Sequence, residues 1–531
     1  MSMQLAARGT RRGLVFGAQD VFEHETPAAI AAVAQPVADA EAARDADTGP
    51  VPPTPALAAS GTAAARPGFA QWMIVGAPPA LDDRTLAAGL GSLLDTHAML
   101  RARATDGPGL VVGERGGVDP ATLISVLRVT EPGELDEAAE RAARAAAGRL
   151  DPAAGVMVRL VWVDAGPERT GRLALVVHHL VVDGVSWRIL LPDLRAACEA
   201  AVAGRTARLD PVGTSFRRWA ELLESEARHE ERVAELDRWR ELLDGGDAPI
   251  GGRALDPARD TAATLERHLW TVPAPQARVI VGRTPGVFHC GVHEVLLATL
   301  AAAVIAWRPG TEHDVLVDVE GHGREPRDGV DLSRTVGWFT RVHPVRIDLT
   351  GIDVAGASAG GPAAGALLKA VKEQVRAVPG DGLGHGLLRH LNPGTAPVLA
   401  GLPAPQVGFN YLGRFPAPAA EPAAWQPAGP SALGGSTHPD MPVKHVLGAG
   451  AVIRDGAEGP ELTLLLSHPS GPLDTASAKR LGRIWLRLLD GLAAHTADPS
   501  AGGHTASDFP LLDLDQDEVD ELEAEFADEH P

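Results

Sequence analysis

The stretch RLALVVHHL at 172–180 limits the possible folds more than any other segment of this chain. Leu173, Leu175, Val177 and His179 share one parity, and Ala174, Val176 and His178 the other, so both faces are apolar up to the histidines. A strand with two apolar faces has to be covered on both sides. The pattern therefore predicts a layered α/β structure with the two histidines at a strand end, where loops build sites. The segment that follows, VVDGVSWRILL, leads into a helix predicted from about Ser186 to Val202, with Ile189, Leu190, Leu194, Ala197 and Cys198 on one stripe.

Periodicity elsewhere predicts helices near 83–98, 133–148, 291–307, 362–377 and 474–495, and a longer charged helix over 215–243. Strands are expected near 156–164, 313–321, 342–348, 405–411, 447–453 and 461–467. The pattern breaks at GGDAPIGG, 245–252. A chain of 531 residues exceeds what one core sustains, so two α/β lobes are expected, 54–245 and 253–517. Ahead of them lie a segment 1–34, with a capped helix from about Thr26, and an Ala/Pro-rich linker 35–53. An acidic tail, 518–531, follows. No repeat of fixed period is present.

Lys and Arg number 48 against 69 Asp and Glu, a formal charge of -21, which argues against a general nucleic-acid binder. No apolar run reaches the roughly 18 to 20 residues of a membrane span. Cys198 and Cys290 make no disulfide framework and the N-terminus carries no signal-peptide core, so a cytoplasmic location is expected. None of Lys369, Lys372, Lys444 and Lys479 stands in a catalytic motif, and no intrinsic cofactor is expected.

Five segments carry polar residues in positions suited to chemistry. In HHLVVDGVSW, 178–187, an imidazole can move a proton near neutral pH; the competing readings are two hydrogen-bonded core histidines with Asp183 as a helix cap, or a metal site. The metal reading is disfavoured because adjacent strand residues point to opposite faces. In VDVEGHGREP, 317–326, Glu320 ends an apolar strand between permissive glycines, where a carboxylate has either a raised pKa or a partner such as Arg324. SRTVGWFTRVHPV, 333–345, places two aromatics after Arg334. VPGDGLGHGLLRHL, 378–391, has glycine spacing reminiscent of a phosphate loop but follows a helix instead of a strand. VGFNYLGRF, 407–415, holds the single tyrosine, Tyr411, and LGGST at 433–437 reads as a Gly-rich loop.

In this order and at these separations the segments resemble the epimerization domains of nonribosomal peptide synthetases, within the condensation-domain superfamily. HHxxxDG is shared with condensation domains and chloramphenicol acetyltransferase-like enzymes. The epimerization character rests on GVSWRIL, EGHGRE, RTVGWFT and FNYLGR, and ASDFPLLDLDQDEVDELE at 506–523 is similar to the usual end of such domains. The resemblance implies two chloramphenicol acetyltransferase-like lobes in a V-shaped pseudo-dimer with a tunnel between them. It implies inversion at the Cα of an aminoacyl or peptidyl thioester held on the 4′-phosphopantetheine arm of a peptidyl carrier protein. His179 and Glu320 are then the acid/base pair. His178, Asp183, Gly184, Ser186, Arg334, Asn410 and Tyr411 support the site, with Asp183 and Arg334 paired as a salt bridge, and Trp187, Trp338 and Phe339 line the channel.

Residues 11–34 look like the last helix of a carrier protein, so the loaded carrier is expected from another polypeptide or from sequence upstream. The acidic helix near 513–526 is a candidate contact for a downstream synthetase polypeptide. Departures from the family pattern are His343 and His385, where tyrosine is common, and the loose opening formed by TPALAAS with FAQW at 69–72. Two other functions stay open: a condensation-type acyltransferase, and a non-catalytic domain that docks carriers.

Overall fold

A computed structural model describes residues 5, 9, 14–16, 26–36, 47–79, 81–129, 131–308, 310, 313–416, 423–499, 501–509, 511–512 and 514–529. The first half supplies strands β1 (Ala70–Ala77), β2 (Ile124–Arg128), β3 (Val158–Asp164) and β4 (Gly171–His178), with helices α1 (Asp83–Thr96), α2 (Leu135–Ala147), α3 (Trp187–Val202) and α4 (Leu236–Leu243). The second half supplies β5 (Leu265–Val272), β6 (Asp314–Gly321), β7 (Arg341–Asp348), β8 (Val407–Pro416), β9 (Leu433–Ser436), β10 (Leu447–Gly456) and β11 (Gly459–Pro469). Its principal helices are α5 (Val292–Trp307), α6 (Ala363–Arg376), α7 (Leu383–His390) and α8 (Thr475–Thr496).

Two mixed sheets result, in the orders β9-β1-β4-β3-β2 and β5-β11-β10-β8-β6-β7. Strand β4 is buried along its whole length, as its double apolar pattern requires. Ala174 and Val176 meet the alanine face of α2, while Leu173, Leu175 and Val177 join the core that includes α1 and α3. Helix α5 is apolar around nearly its full circumference and fills the second core with α6 and α8, the burial such a helix needs. Among the described residues no single helix is long and apolar enough to cross a membrane.

The halves interlock. Leu332, Val336, Phe339, Leu383 and Leu387 belong to the first core, and β9, expected as a Gly-rich loop, pairs antiparallel with β1 in the first sheet. Gly434 allows this pairing, because a Cβ there would lie 2.3 Å from the Trp72 ring. Gly49–Val51, in the expected linker, pairs with Leu110–Val112 as a strand. The charged helix expected over 215–243 is three helices, Phe216–Glu226, Glu230–Val233 and α4. Its break is held by tertiary partners: the Asn392 amide donates to the Ala227 carbonyl at 2.7 Å, and Arg232 reaches Glu226, Glu235 and Asp381. Of segment 1–34, the helix expected from Thr26 is present as Pro27–Val33, with the Thr26 hydroxyl accepting from Ala29 N–H; residues 1–4, 6–8, 10–13 and 17–25 lie outside the described residues.

Candidate active site

His178 and His179 leave β4 with opposite fates. The Leu180 N–H donates to His178 Nδ1 at 3.3 Å and His178 Nε2 donates to the Arg66 carbonyl at 3.0 Å, so both ring nitrogens are used. Burial, foremost, pushes its pKa down to about 4, and the ring is a neutral structural element. His179 instead stacks on Phe69, with ring centres 4.8 Å apart, and touches Trp338 at the same separation. Its Nε2 lies 2.9 Å from the Gln71 amide nitrogen, and the Trp187 indole N–H donates to Gln71 Oε1 at 2.8 Å. That second bond orients the amide: Gln71 presents its NH2 to His179, and Nε2 is the lone-pair nitrogen. Burial also lowers the His179 pKa, and its Nδ1 is enclosed without a hydrogen-bond partner among the described residues.

Asp183 accepts from the Ser186 N–H and hydroxyl, each at 2.8 Å, which turns the chain into α3. Its other oxygen takes Arg324 at 2.6 Å and the Phe339 N–H at 3.2 Å. Arg324 further donates to Ser186 Oγ and to the Thr335 carbonyl, and its guanidinium lies 3.9 Å above the Phe339 ring. The pairing of Asp183 with Arg334 expected from the resemblance is therefore corrected. Arg334 sits further along α3, on Asp193 at 2.6 Å, where Asp193 also accepts from His97 at 2.8 Å. Likewise Arg324 is not the partner of Glu320. The buried pair joins three motifs, HHxxxDG, EGHGRE and RTVGWFT, at one point.

Glu320 ends β6 on the face opposite the α5 core, two residues after Asp318 and four after Leu316. Asn410, on the neighbouring parallel strand β8, donates its amide N–H to Glu320 Oε2 at 2.6 Å. Burial drives the Glu320 pKa up to about 6; Lys444 works against it and Asp318 adds to it. Burial also works to raise Asp318, but His445 and Lys444, each 2.9 Å from its Oδ2, outweigh that and hold it well below the usual carboxylate range. Two carboxylates on one strand face are thus driven apart, one fixed as an anion and one poised near neutrality. Gly323, at φ 66°, allows the chain to fold back: a Cβ would lie 1.8 Å from the Phe339 carbonyl oxygen.

Of the expected channel residues only Trp338 retains partial exposure. Trp187 is 3% exposed and lies within the first core, held by its indole bond to Gln71, so the channel-lining expectation is corrected for it; Phe339, 5% exposed beneath Arg324, borders a small cavity together with Trp338, Trp219 and Leu223. Gly184 is exposed, with open space where a Cβ would stand. Tyr411 alternates away from Asn410 along β8 and packs partly buried on the second core, which raises its pKa. The two departures from the tyrosine pattern meet across one residue: His343 and His385 both pack edge-on to Trp239, at 6.5 and 5.3 Å. Burial pushes them down to about 3 and about 4, so both are neutral.

Sequence reasoning did not assign Phe69, Gln71, Asp318 or His445. Gln71 had a signal: it is a polar residue inside the apolar strand AQWMIVGA, opposite Val177, two residues before His179.

Residues 62–431 match the family described as Condensation domain. One of the linear gramicidin synthase polypeptides of Brevibacillus parabrevis is 31% identical over 534 residues, covering 98% of this chain and 7% of that protein. Chondramide synthase cmdD of Chondromyces crocatus is 31% identical over 543 residues, covering 98% and 13%. The chain spans only those small shares of the curated relatives. Among solved structures, the epimerization domain from the third module of tyrocidine synthetase B superposes with a TM-score of 0.71 at 23% identity, covering 85% of this chain and 98% of that one. The first condensation domain of the calcium-dependent antibiotic synthetase superposes with 0.56 at 17% identity, covering 82% and 93%. These likenesses show the fold, two chloramphenicol acetyltransferase-like lobes. Matched over more than half its length, this chain belongs to the condensation-domain family.

Proposed function

We propose that this condensation-superfamily domain of nonribosomal peptide synthetase type epimerizes the Cα of an aminoacyl or peptidyl thioester presented on the phosphopantetheine arm of a peptidyl carrier protein. The observation that carries the reading is Glu320: a carboxylate poised near pH 6 by burial, with one oxygen held by Asn410 and the other left for a proton. Peptide-bond formation leaves the Cα hydrogen in place, so a base placed for that hydrogen would serve inversion alone. Removing the Cα hydrogen of a thioester leaves a planar enolate, and inversion returns a proton to its other face. His179 is the second group. Trp338 touches its ring at a tilt, and the next residue, Phe339, closes on Gly323 three positions after Glu320, so one short segment runs from the His179 ring to the turn that follows Glu320. Gln71 donates to the His179 nitrogen that would receive a proton, so the amide yields that nitrogen when His179 takes its turn. The remaining segment, 1–34, is read as the end of a preceding carrier domain, supported by the capped helix Pro27–Val33.

Chiral analysis of the aminoacyl group released from a loaded carrier tests this. L-to-D conversion supports the proposal; a peptide bond between two loaded carriers without inversion favours the condensation reading, which the family match alone also accommodates. The pH profile of inversion is expected to fall as pH drops through about 6, because protonation removes the base. Asn410→Ala removes a hydrogen bond to the charged form worth about 1.5–3 kcal/mol, so the acid limb should move up by about 1–2 pH units. An unmoved limb would separate the profile from Glu320.

A further inference from the structure

Glu266 and His268 lie two residues apart on β5, and His468 of β11 pairs directly opposite Glu266, so the three side chains share one face at the edge of the second sheet. Four strand spacings, about 19 Å, separate β5 from the β6 strand that carries Glu320, so these residues belong to no part of the site above. The two imidazole Nε2 atoms are 3.2 Å apart, and Glu266 Oε2 is 4.0 Å from one and 3.9 Å from the other. A point about 2.2 Å from all three atoms therefore exists, close to the roughly 2.0–2.2 Å bonds that zinc makes to nitrogen and oxygen.

We infer that Glu266, His268 and His468 form a binding site for a divalent transition cation of the zinc type, which clamps the edge strand β5 to β11 and to the start of α8.

The surroundings are those of a metal ligand set. His468 is fully buried, and its Nδ1 donates to the Pro469 carbonyl at 3.3 Å, which leaves Nε2 as a lone pair aimed at the other two groups. The Thr475 hydroxyl, in the first turn of α8, donates to Glu266 Oε2 and fixes the carboxylate. His268 has 12% of its side chain exposed and Glu266 39%, so a cation has an entry path and a place for water as fourth ligand. The Lys479 charge opposes a cation, and the Glu266 carboxylate opposes Lys479. Without a cation the pair is satisfied by one imidazole donating to the other, and this is the alternative the experiment has to separate.

The full chain, stripped with chelator and dialysed against Zn2+, is expected to keep one zinc per chain, and the Co2+ form to show visible absorption of a four-coordinate site. His268→Ala and Glu266→Gln, both at partly exposed positions, are expected to weaken binding at least tenfold and to abolish that absorption with circular dichroism unchanged. Zinc content and Co2+ spectra identical in the wild type and in either folded variant, or no zinc retained by the wild type, would overturn the assignment.

Discussion

Glu320→Gln is expected to lower the rate of L-to-D conversion on a loaded carrier by about 10²–10⁴-fold, the range that positioned proton transfer supplies. The substitution keeps the shape of the side chain and an oxygen able to accept from Asn410, which now donates to Glu320 Oε2. It removes only the group proposed to take the proton. Thermal stability at neutral pH should be at or above that of the wild type, since burial makes the ionised carboxylate costly in the folded state and a neutral amide escapes that cost. His179→Ala is expected to reduce inversion comparably, but with some loss of packing, because the ring stacks on Phe69 and touches Trp338. Wild-type activity in Glu320→Gln would remove Glu320 from the reaction.

The second large effect is on stability. Arg324→Leu leaves the Asp183 carboxylate buried without its counter-ion, and breaking such a pair from one side costs about 3–5 kcal/mol. The side chains concerned are 1% and 5% exposed, so solvent screens them little. Adding Asp183→Asn to Arg324→Leu removes the stranded charge while keeping a side-chain oxygen for Ser186, and is expected to recover part of the loss. Arg334→Leu should cost less, since that arginine is more exposed and Asp193 keeps His97 as a partner. Denaturant unfolding followed by tryptophan fluorescence ranks the three. An Arg334 effect as large as that of Arg324 would contradict the observed pairing.

That ranking marks where the sequence stops being readable. Asp183 has two arginines ahead of it in neighbouring motifs, Arg324 and Arg334, and the linear chain does not say which one folds back onto it. The choice follows from the left-handed turn at Gly323, which brings EGHGRE against Phe339. By contrast β4 is legible to within a residue or two because both its faces are apolar, and the raised pKa of Glu320 follows from a carboxylate at the end of an apolar strand. Strand β5 is not visible in the sequence, since LERHLWTV puts charges and histidines on an edge strand and blurs the alternation. The 215–243 helix looks continuous because nothing local interrupts it; its break is set by Asn392 and Asp381, more than a hundred residues away. Strand β9 crosses into the other lobe's sheet for the same kind of reason, Gly434 fitting over Trp72. His268 and His468 are 200 residues apart and meet only through strand pairing.

If the domain moves a proton at Cα, solvent hydrogen has to enter the substrate there. The most direct test incubates the full chain with an L-aminoacyl carrier in deuterated buffer and reads the released acid by mass and by chirality. The expected result is one deuterium at Cα, with D product accumulating in step with its uptake. Carrier binding with no deuterium gained, across several aminoacyl groups, would contradict it and leave a domain that docks carriers or joins their substrates without epimerizing them.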